Sequence, residues 1–266
     1  MTPPLVSVIV AAMNTAALLP ECLDSILSQD WPRLEVVVAD DASTDETLSV
    51  ALGYAALFPE VVRVVPLPRR QGPGGARNEA ARACRGEYLT TLDSDDCLAD
   101  AGKISREMSL LLAARGRVIA FSDVEMISPA GVRTRLSQTQ CVVEGGILEA
   151  VLTRTAMIPR DFTLSRRAYE EAGGYDPTLS THEDWDLKIR LAARHRFKYT
   201  GAPGVVYRRR ASGLSALPLP VRIGNLRAVF DRHVHLLPLR RRRAATAVFL
   251  EHLEAVAAAA AREGPP

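Results

Sequence analysis

The sequence predicts an α/β layered fold, and three observations carry that prediction. Short runs rich in valine, isoleucine and leucine alternate with stretches whose apolar residues return every three or four positions. The unusual polar residues, Asn14, the Asp40–Asp41 pair and the acidic stretch from Asp93 to Asp96, fall at the ends of those runs and not within them. The composition, 47% hydrophobic and 24% charged over 266 residues, belongs to a chain with a sizeable buried core.

Residues 5–10 (LVSVIV) form the first expected strand, apolar throughout as in a parallel sheet covered on both faces. Thr15 then caps a helix in which Leu18, Leu19, Cys22, Leu23, Ile26 and Leu27 share a face, until Trp31-Pro32 stops the pattern. Residues 34–39 (LEVVVA) make a second strand, and Ser43 with Glu46 has the spacing of a capping box that opens a second helix. A third strand at 61–65, an alanine-rich helix at 75–84 and a fourth strand at 87–92 complete the regular half. Crossovers between parallel strands are right-handed. Further on, helices are expected at 103–115, 146–154, 166–172 and 183–195. Strands are expected at 118–122, 197–200 and 204–208, with a hairpin turn at 128–131. From 217 onward the pattern is helical, punctuated by Pro220, Pro238 and the terminal Gly264-Pro265-Pro266. The expected organisation is one α/β unit over 1–215 and a helical C-terminal extension over 216–266.

Charge and cysteine content exclude several functions. Thirty-three basic against thirty-one acidic residues, a net charge of +2, gives no globally basic surface for nucleic acid, so any anion site must be local. Cys22, Cys84, Cys97 and Cys141 are widely spaced with no CxxC pair, which fits neither a zinc site nor a disulfide framework and points to reduced thiols in the cytoplasm. The apolar run at 5–13 has Pro3-Pro4 where a signal peptide needs basic residues. No other stretch approaches the roughly 18 apolar residues of a membrane span.

Ligands of an open parallel sheet bind beyond the carboxyl ends of its strands, where strand order reverses. Strand one ends in Ala11-Ala12-Met13-Asn14, strand two in Asp40-Asp41-Ala42-Ser43 and strand four in Asp93-Ser94-Asp95-Asp96. Carboxylates gathered there repel one another unless a cation neutralises them, and oxygen-only ligands suit Mg²⁺ or Mn²⁺. An EF-hand reading of the acidic loop fails, because Cys97, Leu98 and Ile104 stand where that loop needs oxygen ligands and glycine. Acidic loops after strands also occur as plain solvated caps. No GxxxxGK[ST] occurs, and Gly72-Pro73-Gly74-Gly75-Ala76-Arg77 puts Arg77 where a dinucleotide fingerprint needs glycine. Even so, a glycine-rich turn entering a helix, with Arg69, Arg70 and Arg77 nearby, suits phosphate; the plain alternative is a solvated surface turn.

In chain order, VSVIVAAMN, VVVADDASTDET, the segment from GGARNEAARACRGEYL into DSDD, and HEDWDL resemble the family 2 glycosyltransferases of the GT-A fold, over roughly residues 5–215. The resemblance implies a Rossmann-like α/β/α sandwich and metal-dependent transfer of a sugar, with inversion, from a nucleotide-sugar donor to a sugar or lipid-linked acceptor. It implies donor contacts from Ala11, Asn14, Asp41, Arg77, Asp93, Ser94 and Asp95, with Asp41 on the base and Asp93 to Asp95 as the DxD motif. Asp95, with Asp93, is the implied metal ligand, and Asp184 is the implied catalytic base. Glu183 and Trp185 flank that base on the acceptor side, although Trp185 also suits the core, and acids in a first helical turn also occur simply to complement the dipole.

Two positions depart from the family pattern. Met13 stands where a base-stacking aromatic is frequent, and Arg210 stands where a histidine often helps to hold metal or pyrophosphate. Arginine cannot ligate a cation, so Arg210 is expected to grip the pyrophosphate directly. Arg240, Arg241, Arg242 and Arg243 open the last helix at the unfavourable end of its dipole, which suggests peripheral contact with anionic lipid or an acidic partner beside the plain reading of a solvated helix start. Two other functions compete with sugar transfer. A sugar nucleotidyltransferase lacks support, because residues 11–15 hold no glycine, and an inactive nucleotide-sugar binding module is opposed by the intact aspartates.

Overall fold

The computed structural model describes residues 2–127, 133–136, 143–156, 158–208 and 218–263. Strands β1 (Val6–Ala12), β2 (Leu34–Asp40), β3 (Val62–Pro66) and β4 (Tyr88–Asp93) alternate with helices α1 (Leu19–Leu27), α2 (Thr47–Leu57) and α3 (Gly72–Ala83). Then follow β5 (Cys97–Leu98), α4 (Lys103–Ala113), β6 (Val118–Ile127), β7 (Arg133–Leu136), α5 (Leu148–Leu152), β8 (Thr163–Ser165), α6 (Arg166–Ala172), α7 (Glu183–Ala192) and β9 (Arg196–Arg208). The chain closes with α8 (Leu219–His233), a 3-10 turn at Val234–Leu236 and α9 (Leu239–Glu263).

The nine strands among the described residues join one mixed sheet in the order β3-β2-β1-β4-β8-β6-β9-β5, with β7 hanging from β6. Its long ladders, β3-β2-β1-β4 and β6-β9, are parallel; the short pairings through β8, β5 and β7 are antiparallel. Because successive side chains on a strand point to opposite faces, the sheet sorts its own core. Val8, Val10, Val36 and Val38 face α1, α2 and α4. Ile9, Val37 and Ala39 face α3 and the helices of the second half, α8 and α9 included. The result is the expected α/β/α sandwich, and its helical C-terminal segment shares a core with the sheet.

Strand order reverses at β1, flanked by β2 and β4. The register places Ala12 opposite Asp40 and Ala11 opposite Asp93, so both aspartates border the end of β1.

Local details differ from the sequence reading. Thr15 does not cap α1: its hydroxyl donates to Ser94 Oγ at 2.9 Å, and the helix starts at Leu19 with Pro20 in its first turn. Ser43 and Glu46 form no capping box either; Asp45 accepts from the Thr47 N–H at 2.9 Å, and Ser43 Oγ accepts from the Asn14 N–H at 3.1 Å. The two strands expected at 197–200 and 204–208 are one, β9, broken only by a register shift opposite Asp123 where Gly201 takes a φ of 75°. The hairpin turn at 128–131 lies outside the described residues, though β6 and β7 on either side of it pair antiparallel.

Candidate active site

Three loops at the carboxyl ends of β1, β2 and β4 are stitched together. Asn14, with a φ of 51°, accepts at Oδ1 from the Thr44 N–H at 2.8 Å, and the Thr15 N–H donates to Thr47 Oγ1 at 2.8 Å. Ser94 is buried beneath them. Asp41 is buried and uses both carboxylate oxygens on backbone, accepting from the Gln71 N–H at 2.6 Å and the Gly72 N–H at 2.9 Å. It therefore clasps the turn that opens α3. Beside it, buried Asp40 keeps one oxygen, Oδ1, without a protein partner. Ala11 and Met13 line this end half-buried, whereas Arg69 and Arg70 are exposed.

At the end of β4, carboxylate oxygens of Asp93, Asp95 and Asp96 lie within 4.8 Å of one another. An all-oxygen donor set of this kind at the strand-order switch fits a hard divalent cation. The protein partly neutralises the cluster itself through Arg160, whose guanidinium reaches Asp93 Oδ2 at 2.8 Å and Asp96 Oδ2 at 2.5 Å and lies 4.6 Å from the Tyr207 ring centroid. Tyr207 in turn donates to Asp161 Oδ2 at 2.8 Å. The balance divides the carboxyls. Burial works against charge on Asp93, but Arg160 and Arg77 outweigh it and lower its pKa. Burial and the neighbouring carboxylates instead push Asp96 up to about 8 against the pull of Arg160, and burial together with Asp93 pushes Asp161 up to about 6.

Arg77 joins this cluster to the catalytic-helix candidate α7. Its guanidinium donates to Asp93 Oδ1 and to Glu183 Oε1, both at 2.7 Å, and sits 5.2 Å from the Tyr175 ring centroid. The expectation that Arg77 meets phosphate is corrected: at 3% exposure and paired on two sides, it is an internal strut. Glu183 is likewise turned inward, so its acceptor-side role is corrected to a structural one. Gly74 permits this close approach of α3 to α7, since a Cβ there would stand 3.3 Å from Glu183 Cγ.

Asp184, the next residue, is half-buried, and Lys188 one turn along donates to its Oδ2 at 2.6 Å. Burial opposes its charge, but Lys188, Arg160 and Arg154 outweigh that and hold the carboxyl far below the ordinary carboxylate range. Asp184 is thus ionised at neutral pH. His182, at the N-cap with a φ of 62°, is pushed down to about 4 by burial and then by Arg154, so its imidazole is neutral at pH 7. Trp185 does not face an acceptor. It is 4% exposed, stacks on Phe249 with ring centroids 5.9 Å apart and donates from Nε1 to the Val151 carbonyl at 2.7 Å, so its acceptor-side expectation is corrected to core packing.

Arg210 lies outside the described residues. Its neighbour Arg208 is described; its guanidinium pairs with Glu21, and its N–H donates to Asp96 Oδ1 at 2.9 Å. Of the basic run on α9, Arg241 pairs with Glu149 at 2.9 Å and Arg242 donates to the carbonyls of Leu237 and His235, while Arg240 and Arg243 are exposed. No helix among the described residues is long and apolar enough to cross a membrane. Sequence reasoning missed Arg160, Arg154, Asp161 and Lys188. Only Lys188 carried a readable signal, its i,i+4 spacing from Asp184.

Residues 7–119 match Glycosyl transferase family 2. The chain is 28% identical over 202 residues to chondroitin synthase from Escherichia coli, covering 74% of this chain but only 28% of that protein. Among solved structures, S. aureus TarS in complex with UDP-GlcNAc superimposes with a TM-score of 0.71 at 19% identity, covering 92% of this chain and 71% of that one. A mannosyltransferase from Pyrobaculum calidifontis, in complex with GDP-Man and Mn²⁺, gives a TM-score of 0.62 at 22% identity over 98% of this chain and 77% of that one. The fold is GT-A.

Proposed function

We propose that the chain, whose residues 7–119 match glycosyl transferase family 2, is a member of that family and moves a sugar, with inversion, from a nucleoside-diphosphate sugar to an acceptor hydroxyl on a glycan, a lipid-linked glycan or a small molecule. The observation that carries this reading is the Asp93–Arg77–Glu183 bridge, which fixes the ionised Asp184 in the same cleft as the acidic strand end. Asp184 takes the proton of the acceptor hydroxyl as that oxygen attacks the anomeric carbon from the face opposite the departing nucleotide. Lys188 keeps the carboxylate charged and fixes its direction. Asp41 is assigned to the base through the lone pairs its two backbone bonds leave; Asn14, Ala11 and Ser94 shape the nucleoside end, and Arg210 is assigned to the pyrophosphate. Asp95 with Asp93 would hold Mn²⁺ or Mg²⁺, which would supply charge neutralisation for the leaving diphosphate. The all-oxygen cluster at the end of β4 supports that assignment.

Residues 1–215 serve as the catalytic unit and 216–266 as a C-terminal extension, whose helices α8 and α9 pack behind α7. Among the described residues Cys22, Cys84 and Cys97 are buried and form no disulfide, which supports a cytoplasmic enzyme. The exposed Arg240 and Arg243 support peripheral contact with an anionic membrane face. Thermal-shift measurements with UDP-, GDP-, dTDP- and CDP-sugars plus Mn²⁺ test the donor half, since a ligand bound only to the native state raises the Tm. A rise with one base family is expected; no rise with any of them counts against the reading.

A further inference from the structure

We propose that the acceptor carries an oxyanion, a phosphate or a carboxylate, and that Arg154 and Arg222 hold it beside Asp184. The proposal rests on the transferase reading above and names the substrate class of that site.

The guanidinium of Arg154 forms no ion pair among the described residues. Arg154 follows α5 with a φ of 59°, a left-handed conformation that favours glycine. Its guanidinium lies 5.0 Å from the Trp185 ring centroid, and its Nε is buried without a hydrogen-bond partner. Trp185 is itself immobilised by Val151 and Phe249, so the stack holds Arg154 in place, and Arg154 and Asp184 act on each other electrostatically.

A second arginine approaches from α8. Asn225 Nδ2 donates to Thr181 Oγ1 at 2.7 Å, which docks α8 against the residue before His182. Arg222 lies three positions earlier, one turn along the same helix face. Arg77, Arg160, Lys188 and Arg190 all pair with carboxylates, yet among the described residues no carboxylate forms an ion pair with Arg154 or Arg222. Arg154, Arg222 and Lys188 all act on the charge state of His182, with Asp184 as the opposing anion. Arg154 and Lys188 also act on Asp184 itself, and Arg222 acts on Arg154.

The donor diphosphate does not supply the missing anion. An inverting displacement puts the leaving group on the face of the reacting carbon opposite Asp184, so cations on the Asp184 side face the acceptor. Guanidinium forks match phosphate and carboxylate oxygens bidentately, and a half-buried pair of them holds such a group strongly. An acceptor anion seated there also aligns the neighbouring hydroxyl with Asp184.

Binding tests this without turnover. Glycerol 1-phosphate and glucuronate are titrated calorimetrically into the full chain, with glycerol and glucose as neutral controls. Two variants accompany the wild type: Arg154→Gly, whose new residue suits the left-handed backbone, and Arg222→Ala on the helix surface. At least one anionic probe is expected to bind well above its neutral counterpart, and each substitution is expected to weaken it about tenfold or more. Equal affinity for charged and neutral probes, or anion binding that survives both substitutions, overturns the proposal. The arm that binds decides between phosphate and carboxylate. In a transfer assay with the donor that gives the largest thermal shift, the charged acceptor is expected to show a KM about tenfold below its neutral analogue, and Arg154→Gly to erase that gap. If no nucleotide sugar binds while glycerol 1-phosphate does so through Arg154, the transferase reading fails and the anion site stands. If the donor turns over but the charged acceptor has no advantage, the anion site fails alone.

Discussion

Asp184 and Lys188 form the pair on which the proposed chemistry turns. Asp184→Asn removes the proton acceptor while keeping the shape, so transfer is expected to fall by roughly 10²- to 10⁴-fold with the affinity for the nucleoside diphosphate unchanged. Calorimetry beside a product assay reads both; retained transfer would move the base elsewhere. The pH dependence follows from the lowered pKa of Asp184. A depressed carboxyl remains ionised well below pH 4, so kcat/KM is expected to show no acid limb from this group between neutral pH and about pH 5. Its contribution to stability is present above the unfolded value near 3.9 and is lost as pH falls through the lower folded one. Lys188→Met removes the largest lowering influence while burial continues to raise the pKa, so an acid limb should climb into the measurable range; a profile identical to wild type would show that Lys188 does not set it. Asp93, Asp95 and Asp184 were legible because each sits in a local run with a recognisable neighbourhood. Arg160 was not: it meets Asp96 from 64 positions away across the sheet and belongs to no motif. Arg154 was hidden for the same reason, since its meaning depends on Trp185 lying beneath it.

At the scale of elements, α4 shows how the sheet secures its middle. Lys103 and Glu107, one turn apart, are both fully buried and paired at 2.9 Å. Lys103 also donates to Thr90 Oγ1 on β4 and to the Asp161 carbonyl, and Glu107 accepts from Ser122 on β6 and Thr163 on β8. This polar network ties α4 to three strands. Removing one partner strands a charge in the core, so Lys103→Ala is expected to cost about 3–5 kcal/mol in denaturant unfolding, whereas the apolar double replacement Lys103→Met with Glu107→Leu is expected to regain most of it. If the double replacement proves as costly as the single one, the network is worth more than its desolvation. The regular elements were readable because their residues answer to one rule each: β1 and β2 are apolar throughout because both faces are covered. By contrast, β8 and β5 have three and two residues and exist only because β4, β6 and β9 offer them edges. The caps of α1 and α2 were misread because Thr15 and Ser43 bond across loops, a choice made by tertiary contact and not by local sequence.

For the whole molecule, the small net charge conceals a separation of charge: acids gather at the strand ends, and cations gather beside Asp184 and on α9. The outward-facing part of the basic run reduces to Arg240 and Arg243, because Arg241 and Arg242 are engaged within the protein. Two arginines near an anionic surface contribute on the order of 1 kcal/mol each, enough for salt-sensitive, reversible association and too little for stable anchoring. Cosedimentation with phosphatidylserine vesicles is expected to fade with added salt and with Arg240→Ala plus Arg243→Ala; equal pelleting of both proteins would remove these residues from any membrane contact. The C-terminal helices have a second consequence that is firmer in structure. Phe249 of α9 stacks on Phe230 of α8 with centroids 4.1 Å apart and on Trp185 of α7, and Asp186 of α7 holds His233 of α8 at 2.6 Å. The helix that carries Asp184 is therefore braced from behind by residues far along the chain. Phe249→Ala opens a cavity against Trp185 and is expected to cost about 3–5 kcal/mol in unfolding. It should also lower kcat more than it raises the donor KM, because misplacing α7 by an ångström disturbs the base while leaving the loops at the ends of β1, β2 and β4 in place. A variant destabilised by that amount but with wild-type kcat would show that α7 holds its position without the extension.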